Sequence, residues 1–262
     1  MANPPKGTAV ARRKAAEVEA LNSMALDSQE FANEFKASDL AIPRITICQA
    51  LSPQRKKTDP SFIEGLEEGN IFNTVLQTIY GEDVVVVPVL FQKVYNIWRD
   101  KDSGGGFVGT YHDPIEAGEV CEEDCEVVDT AEYYLLVQNA DGGWDQASLS
   151  LKMTGLKISR QWNSLISSRR CVTGDGMRFN PPMFAQVFRL TSAEAENAKG
   201  SWFAFSVAGD GMVTQFEDGA DLYGAAKVFR EMIEGGLARV VYEEAEIVEE
   251  GEIVEEGPNP SF

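Results

Sequence analysis

The sequence is 262 residues long, carries a formal net charge of −19 and is 44% hydrophobic. This size and hydrophobic content are ordinary for a folded protein with one large or two small domains. No run of about 18 apolar residues occurs, which excludes a transmembrane helix. The N-terminus (MANPPKGTAVARRKAAEVEA) lacks the apolar stretch of a secretory signal. Four cysteines are too few for a disulfide scaffold, so we expect a cytoplasmic protein without a membrane partner.

The negative charge is concentrated in two parts of the chain. Residues 243–262 contain eight glutamates and no Lys or Arg, and residues 113–145 contain eleven acidic residues and no Lys or Arg. Between residues 152 and 189 the balance reverses, because seven cations face the single acid Asp175. Local potential, rather than net charge, steers a charged partner towards a surface. The overall charge therefore does not exclude an anionic partner such as nucleic acid.

Residues 1–38 are predicted to form a basic arm followed by an amphipathic helix. The apolar residues at roughly helical spacing are Val18, Leu21, Met24 or Ala25, Phe31 and Phe35. Residues 42–49 (IPRITICQ) alternate in the manner of a strand. Residues 52–60 are polar and contain three cations, which is typical of an exposed basic loop.

Strand signals dominate from residue 71 onward. Residues 84–91 (VVVVPVLF) are a β-branched run in which Pro88 indicates a bulge or an edge position. Glycine turns then separate further strand candidates and predict two hairpins. The hairpins comprise residues 95–98 with 107–111 around Gly104 to Gly106, and residues 133–137 with 147–153 around Asp141, Gly142 and Gly143.

Two helices and two further strands complete the predicted body. Residues 156–169 are expected to be helical, with Trp162 in the core beside apolar neighbours. Residues 183–190 and 202–207 are predicted strands joined by a polar, helix-prone connection at 192–200. Residues 221–235 are a predicted helix with an Asp cap and a glycine stop. Residues 39–242 are thus expected to form a mainly β domain with a few helices (α+β), as a small closed or half-closed antiparallel barrel. An immunoglobulin-like sandwich is the alternative.

The acidic tail, residues 243–262, has a pattern of its own. The sequence EIVEEG occurs twice in succession and is followed by PNPSF. High charge and few apolar residues predict disorder. A terminal Phe262 beside a free carboxylate can enter an apolar pocket with a basic rim, which predicts capture by a partner protein. The residues expected to bind this partner are Glu255, Glu256, Pro260 and Phe262.

A strand-rich body followed by an acidic tail that ends in Phe resembles the single-stranded DNA-binding proteins of bacteria and their phages. The similar stretches are IPRITICQALSP, VVVVPVLFQKVYNIWRDKDSGGGFVGTYHD, LKISRQWNSL and FAQVFRLTSAEAENAKGSWFAF, which cover about half of the chain. The resemblance implies an OB-like, partly closed barrel that coats single-stranded DNA without strong sequence preference during phage DNA replication or recombination. It further implies that the tail recruits replication or recombination proteins in the host cytoplasm. A homo-oligomer is compatible with this assignment.

Binding of single strands requires cations for phosphates and aromatic faces for bases. Two segments combine both. The first is a ribbon with Lys93, Tyr95, Trp98, Arg99, Lys101, Phe107 and Tyr111, of which Tyr95 and Trp98 are the preferred stacking residues. The second contains Lys152, Lys157, Arg160, Arg169, Arg170 and Arg178. The acidic tail could lie over the basic groove in the free protein and be displaced by DNA.

Catalytic and metal chemistry have weaker support in the sequence. The only histidine, His112, could bind zinc together with Cys121 and Cys125, but free thiols on an acidic loop are the preferred interpretation. The acids between residues 116 and 129 fall in one run, which is more typical of a solvated loop than of a nuclease site. We therefore expect a DNA-binding protein that is not an enzyme and has no metal or cofactor. The rival hypotheses are a phage structural or assembly protein with a solubilising acidic tail and, less favoured, a metal-dependent nuclease.

Overall fold

The computed structural model describes residues 41–240, except 122, 199, 237 and 238. Its strands are β1 (Ala41–Ile42), β2 (Ile45–Ile47), β3 (Ile71–Asn73), β4 (Ile79–Gly81), β5 (Asp83–Arg99), β6 (Phe107–Tyr111), β7 (Cys125–Gln138), β8 (Trp144–Lys152), β9 (Cys171–Val172), β10 (Arg178–Phe179), β11 (Gln186–Asn197), β12 (Gly200–Met212) and β13 (Arg239–Val240). Its α-helices are α1 (Pro114–Val120), α2 (Gly155–Ser168) and α3 (Gly219–Glu234). The largest sheet has six antiparallel strands in the order β12-β11-β5-β7-β8, and β6 pairs with the second half of β5.

Strand β5 organises this sheet because its two halves have different neighbours. Its first half pairs with β11 and its second half with β6, while β7 runs along nearly all of its other side. The register between β5 and β7 shifts between Pro88 and Leu90, which is the bulge that the sequence predicts at this proline. The two predicted segments 84–91 and 95–98 therefore belong to one continuous strand.

Helices cover both faces of the sheet. On β7, Tyr133 and Leu135 point into a core with Trp162 of α2, whereas the intervening Tyr134 packs with Phe229 of α3 on the opposite face. This period-two alternation follows from strand geometry. Trp162 is fully buried and stacks on Tyr133 with ring centroids 4.3 Å apart, which confirms its predicted place in the core.

A three-stranded sheet in the order β2-β3-β4 lies against the two outer strands of the large sheet. Arg44 forms a β-bridge with Ser148 of β8. The side-chain amide of Gln49 bonds both the N–H and the C=O of Phe203 on β12, at 2.9 and 2.8 Å. Gly69 allows the close approach to β12: its φ is 85°, and a Cβ at this position would lie 2.9 Å from the ring of Phe203.

The mainly β, α+β fold class is confirmed, but no sheet formed by the described residues closes into a barrel. The predicted hairpins around residues 104–106 and 141–143 are present, and α2 lies where the sequence predicts a helix. The prediction of a helix-prone connection at residues 192–200 is wrong. Residues 192–197 instead continue β11, all twelve residues of which pair with β12, and β12 begins at Gly200. The arm at 1–38 and the tail at 243–262 lie outside the described residues.

Candidate nucleic-acid interface

Helix α2 presents a basic face to solvent and an apolar face to the sheet. Trp162 is buried, while Lys157 and Arg160 are exposed on the other side of the helix. The Tyr133 hydroxyl on β7 binds the helix to the sheet. It donates to Asn163 Oδ1 at 3.0 Å and lies 2.9 Å from Ser159 Oγ. Burial raises the pKa of Tyr133 to about 12, so this anchor stays neutral at physiological pH.

The cations of α2 and its flanks have no acidic partners within the described part of the chain. These cations are Lys157, Arg160, Arg169, Arg170 and Arg178, and none forms an ion pair with a described Asp or Glu. Helix α2 itself contains no acidic residue. We refer to these five residues as the basic track. Because no described carboxylate pairs with them, these cations are available to bind phosphates.

Backbone carbonyls orient two guanidinium groups of the basic track. Arg169 donates from Nη1 to the carbonyl of Gly211 on β12 at 2.6 Å. Arg170 donates from Nη1 to the carbonyls of Ser167 and Arg169, at 2.7 and 2.9 Å. Carbonyl oxygens are neutral acceptors, so they position the guanidinium without cancelling its charge. The remaining N–H groups can still bind a phosphate in the bidentate manner that arginine favours.

A cleft of about 430 Å³ opens beside the N-terminal end of α2, between β8, β12 and the three-stranded sheet. Lys152 and Lys157 line it together with the aromatic side chains of Trp202, Phe203 and Phe205. All three aromatic residues are half-buried, and Phe203 and Phe205 also pack against the core that contains Trp162, so only part of each ring is accessible. The volume is within the range of small-molecule sites, and the combination of cations and aromatic rings suits nucleotides.

The ribbon of β5 and β6 differs from α2, because its cations are matched by acids. Lys93 lies 2.8 Å from a carboxylate oxygen of Asp129 and 5.0 Å from the ring centre of Tyr95. The hydrogen bond to Asp129, followed by the contact with Tyr95, raises the pKa of Lys93. Arg99 lies 3.9 Å from Asp124. These partners reduce the positive potential of the ribbon and make it the weaker candidate for binding phosphates.

The aromatic residues of the ribbon are also largely engaged. Trp98 is only 8% exposed and packs edge-on against Phe107 at 5.2 Å, so little of the ring is available for stacking on a base. Tyr95 and Tyr111 are half-buried and lie opposite each other where β5 pairs with β6. The side chain of Lys101 lies outside the described set. The structure does bring Trp98 together with Lys152 and Lys157, because all three line the cleft.

Sequence reasoning missed the aromatic contribution of β12 to the cleft. Trp202, Phe203 and Phe205 occur within one run, WFAF, and this run was a signal that could have found them. Their position depends on the contact between Gln49 and β12, and the two segments are far apart in the chain. A short aromatic run alone is equally typical of a buried strand.

The residues considered for a metal site do not form one within the described part of the chain. No group of three or more His, Cys, Asp or Glu in this part of the chain is placed to hold a metal ion. Cys121 donates from Sγ to the carbonyl of Cys125 at 3.0 Å, and burial, followed by the neighbouring Cys125, raises the pKa of the Cys121 thiol.

The predicted partner-binding residues Glu255, Glu256, Pro260 and Phe262 lie outside the described range. No helix within that range combines the length and the hydropathy of a membrane span.

Comparison with known proteins gives a family. Searches of curated proteins and of solved structures found no significant match. Residues 13–239 match the model of the family described as Pam3 phage gp34-like protein. This match includes all of the large sheet, α2 and the cleft, and extends over most of the sequence. The chain therefore belongs to the Pam3 phage gp34-like protein family.

Proposed function

We propose that this protein binds single-stranded DNA along α2 and in the adjoining cleft. The observation that carries the proposal is the basic track, whose five cations lack acidic partners among the described residues. Phosphate binding without sequence preference needs uncompensated cations of this kind. Lys157 belongs both to the track and to the cleft lining, so a strand that follows the track meets the aromatic residues of β12.

The form of the cleft favours single strands over duplex DNA. Bases can stack on Trp202, Phe203 or Phe205 only when they are unpaired and turned out of a helix. A duplex could contact the basic track through its phosphates but could not insert bases into the cleft. The chain would then coat single-stranded DNA without catalysis during phage replication or recombination, and its acidic tail would recruit partner proteins of these pathways.

Fluorescence anisotropy with labelled oligo-dT and a duplex of equal length tests this proposal over a salt series. We expect tight binding to oligo-dT, weaker binding to the duplex and a steep loss of affinity with salt. Lack of binding to any single strand at low salt would overturn the proposal and favour the rival, a phage structural or assembly protein. Added Mg²⁺ in the same samples tests for nuclease activity through the appearance of shorter oligonucleotides.

A further inference from the structure

The β9–β10 hairpin, residues 171–179, exposes apolar side chains at the C-terminal end of the basic track. Val172 is 62% exposed, Met177 60% and Phe179 40%, although all three are large hydrophobic residues. Val172 pairs with Arg178 and Phe179 pairs with Cys171, so Val172 and Phe179 lie on opposite faces of the hairpin. Burial of such side chains is favourable, so their exposure on both faces of one short hairpin marks an interaction site.

The hairpin is held firmly at its base. Asn180 donates from Nδ2 to the carbonyl of Ser167 in α2 at 3.2 Å. The buried side chain of Gln186 donates from Nε2 to the carbonyls of Ile166 and Pro181, both at 3.1 Å. Because Asn180, which directly follows the hairpin, and Gln186 are both bonded to the last turn of α2, the C-terminal end of the hairpin keeps a fixed place relative to the basic track.

The charge of the flanking residues favours an anionic occupant, and on the proposed function this occupant is nucleic acid. Arg170 lies directly before the hairpin and Arg178 within it, and neither pairs with a described carboxylate. The one acid of the hairpin, Asp175, accepts a hydrogen bond from the Thr173 hydroxyl, which lowers the pKa of Asp175 and favours its charged form, so one negative charge stands against the two guanidinium groups. Apolar side chains beside two guanidinium groups that pair with no described carboxylate complement bases flanked by phosphates.

Two of the three exposed side chains favour a base pair over an unpaired base. Val172 and Met177 have no aromatic face on which a single base could stack. Aliphatic and aromatic side chains together are instead the types that proteins insert as wedges between base pairs, which they unstack. A strand lying along α2 would place the start of a neighbouring duplex at the hairpin.

We infer that the β9–β10 hairpin is a wedge that engages the terminal base pair where single-stranded DNA meets duplex. This inference rests on the proposed function, because the basic track must hold the single strand. It extends that function from coating exposed strands to recognising, and locally opening, the junction at which they end.

The test compares three DNAs: a single strand, a duplex, and the same single strand joined to the duplex, with 2-aminopurine at the first base pair. We expect the junction to bind about tenfold more tightly than the single strand, and the 2-aminopurine fluorescence to rise as the pair unstacks. The double variant Val172→Ser and Phe179→Ser should lose both effects while its affinity for the single strand changes by less than about twofold.

A matched control is Val228→Ser, which removes an equally exposed valine from α3 on the other side of the sheet and should retain the junction preference. Unchanged circular dichroism and thermal midpoints establish that both proteins are folded. A wild-type protein that binds the single strand but shows no junction preference would overturn the wedge alone, whereas failure to bind any single strand would also remove the proposed function. Loss of self-association in the hairpin variant, with junction binding intact, would assign the surface to contacts between copies of this chain.

Discussion

Replacement of Lys157 and Arg160 by alanine tests the basic track most directly. Both side chains are exposed on α2 and neither pairs with a described acid, so their removal disturbs no buried contact. Alanine is the best helix former, and α2 should therefore keep its structure. The expected change is in the electrostatic part of DNA binding alone.

The size of the change follows from the number of cations in the track. Each phosphate contact with a single strand contributes about 0.7 to the slope of log affinity against log salt, so five contacts give a slope of about 3.5 and three give about 2.1. A fourfold rise in salt should then weaken the wild-type protein roughly 130-fold and the double variant only about 20-fold. At low salt, where screening is weakest, the variant should bind more weakly than the wild type.

Anisotropy titrations of labelled oligo-dT at several salt concentrations measure both slopes. Lys227→Ala is the matched control, because Lys227 is an exposed helical cation on α3, across the sheet from α2. It should leave the slope unchanged. Identical slopes for the wild type and the α2 variant, or an equal loss of slope in the control, would refute the assignment of phosphate contacts to α2.

Three further predictions concern the fold and the tail. Gly69→Ala should lower the free energy of unfolding in urea by about 1–3 kcal/mol and by more than Gly65→Ala, since both glycines have positive φ but only Gly69 lies against another side chain. Equal losses would contradict the close approach to β12. Tyr133 and Tyr134 have pKa values raised by burial from 10.0 to about 12, so the folded state holds these protons more tightly than the unfolded state. The stability that these two tyrosines contribute should be complete below pH 10 and decline as the pH rises towards 12. Tyrosinate absorbance during an alkaline titration measures both pKa values. Titration of both residues with the ordinary tyrosine pKa in the folded protein would contradict this prediction. Deletion of residues 243–262 removes eight glutamates and should raise the affinity for oligo-dT at low salt, whereas equal affinities across a salt series would exclude competition by the tail.

Local features of the fold could be predicted where one short-range rule dominates. Glycine turns fixed the two hairpins, the helical spacing around Trp162 placed α2 and its buried face, and Pro88 located the bulge in β5. Residues 192–200 show the opposite case. Their Ala and Glu content favours a helix, but pairing along the whole of β11 with β12 outweighs intrinsic propensity, which differs by less than about 1 kcal/mol per residue.

The candidate site depended on contacts that sequence patterns do not contain. Lys93 and Arg99 are predicted DNA-binding residues, and the structure places Asp129 and Asp124 beside them, which the sequence pattern does not indicate. Arg189 lies in the basic segment, yet it is neutralised by Asp83 and Asp210 from two other strands. Spacing along the chain identifies cations, but only the sheet register determines which of them keep their charge for a partner.

This selective neutralisation resolves the conflict between a net charge of −19 and an anionic partner. The cations of the large sheet pair with acids on adjacent strands, as Lys93 does with Asp129 and Arg189 with Asp83, so the sheet offers them less readily to a phosphate than α2 offers its own. Helix α2 has no acidic residue and packs its apolar face on the sheet, which leaves its cations facing solvent. At physiological salt, charges more than about 8 Å away are largely screened, so phosphates near α2 respond mainly to the basic track and not to the distant acids. On the proposed function, the excess of acids would limit binding elsewhere on the surface and confine an anionic strand to α2 and its cleft.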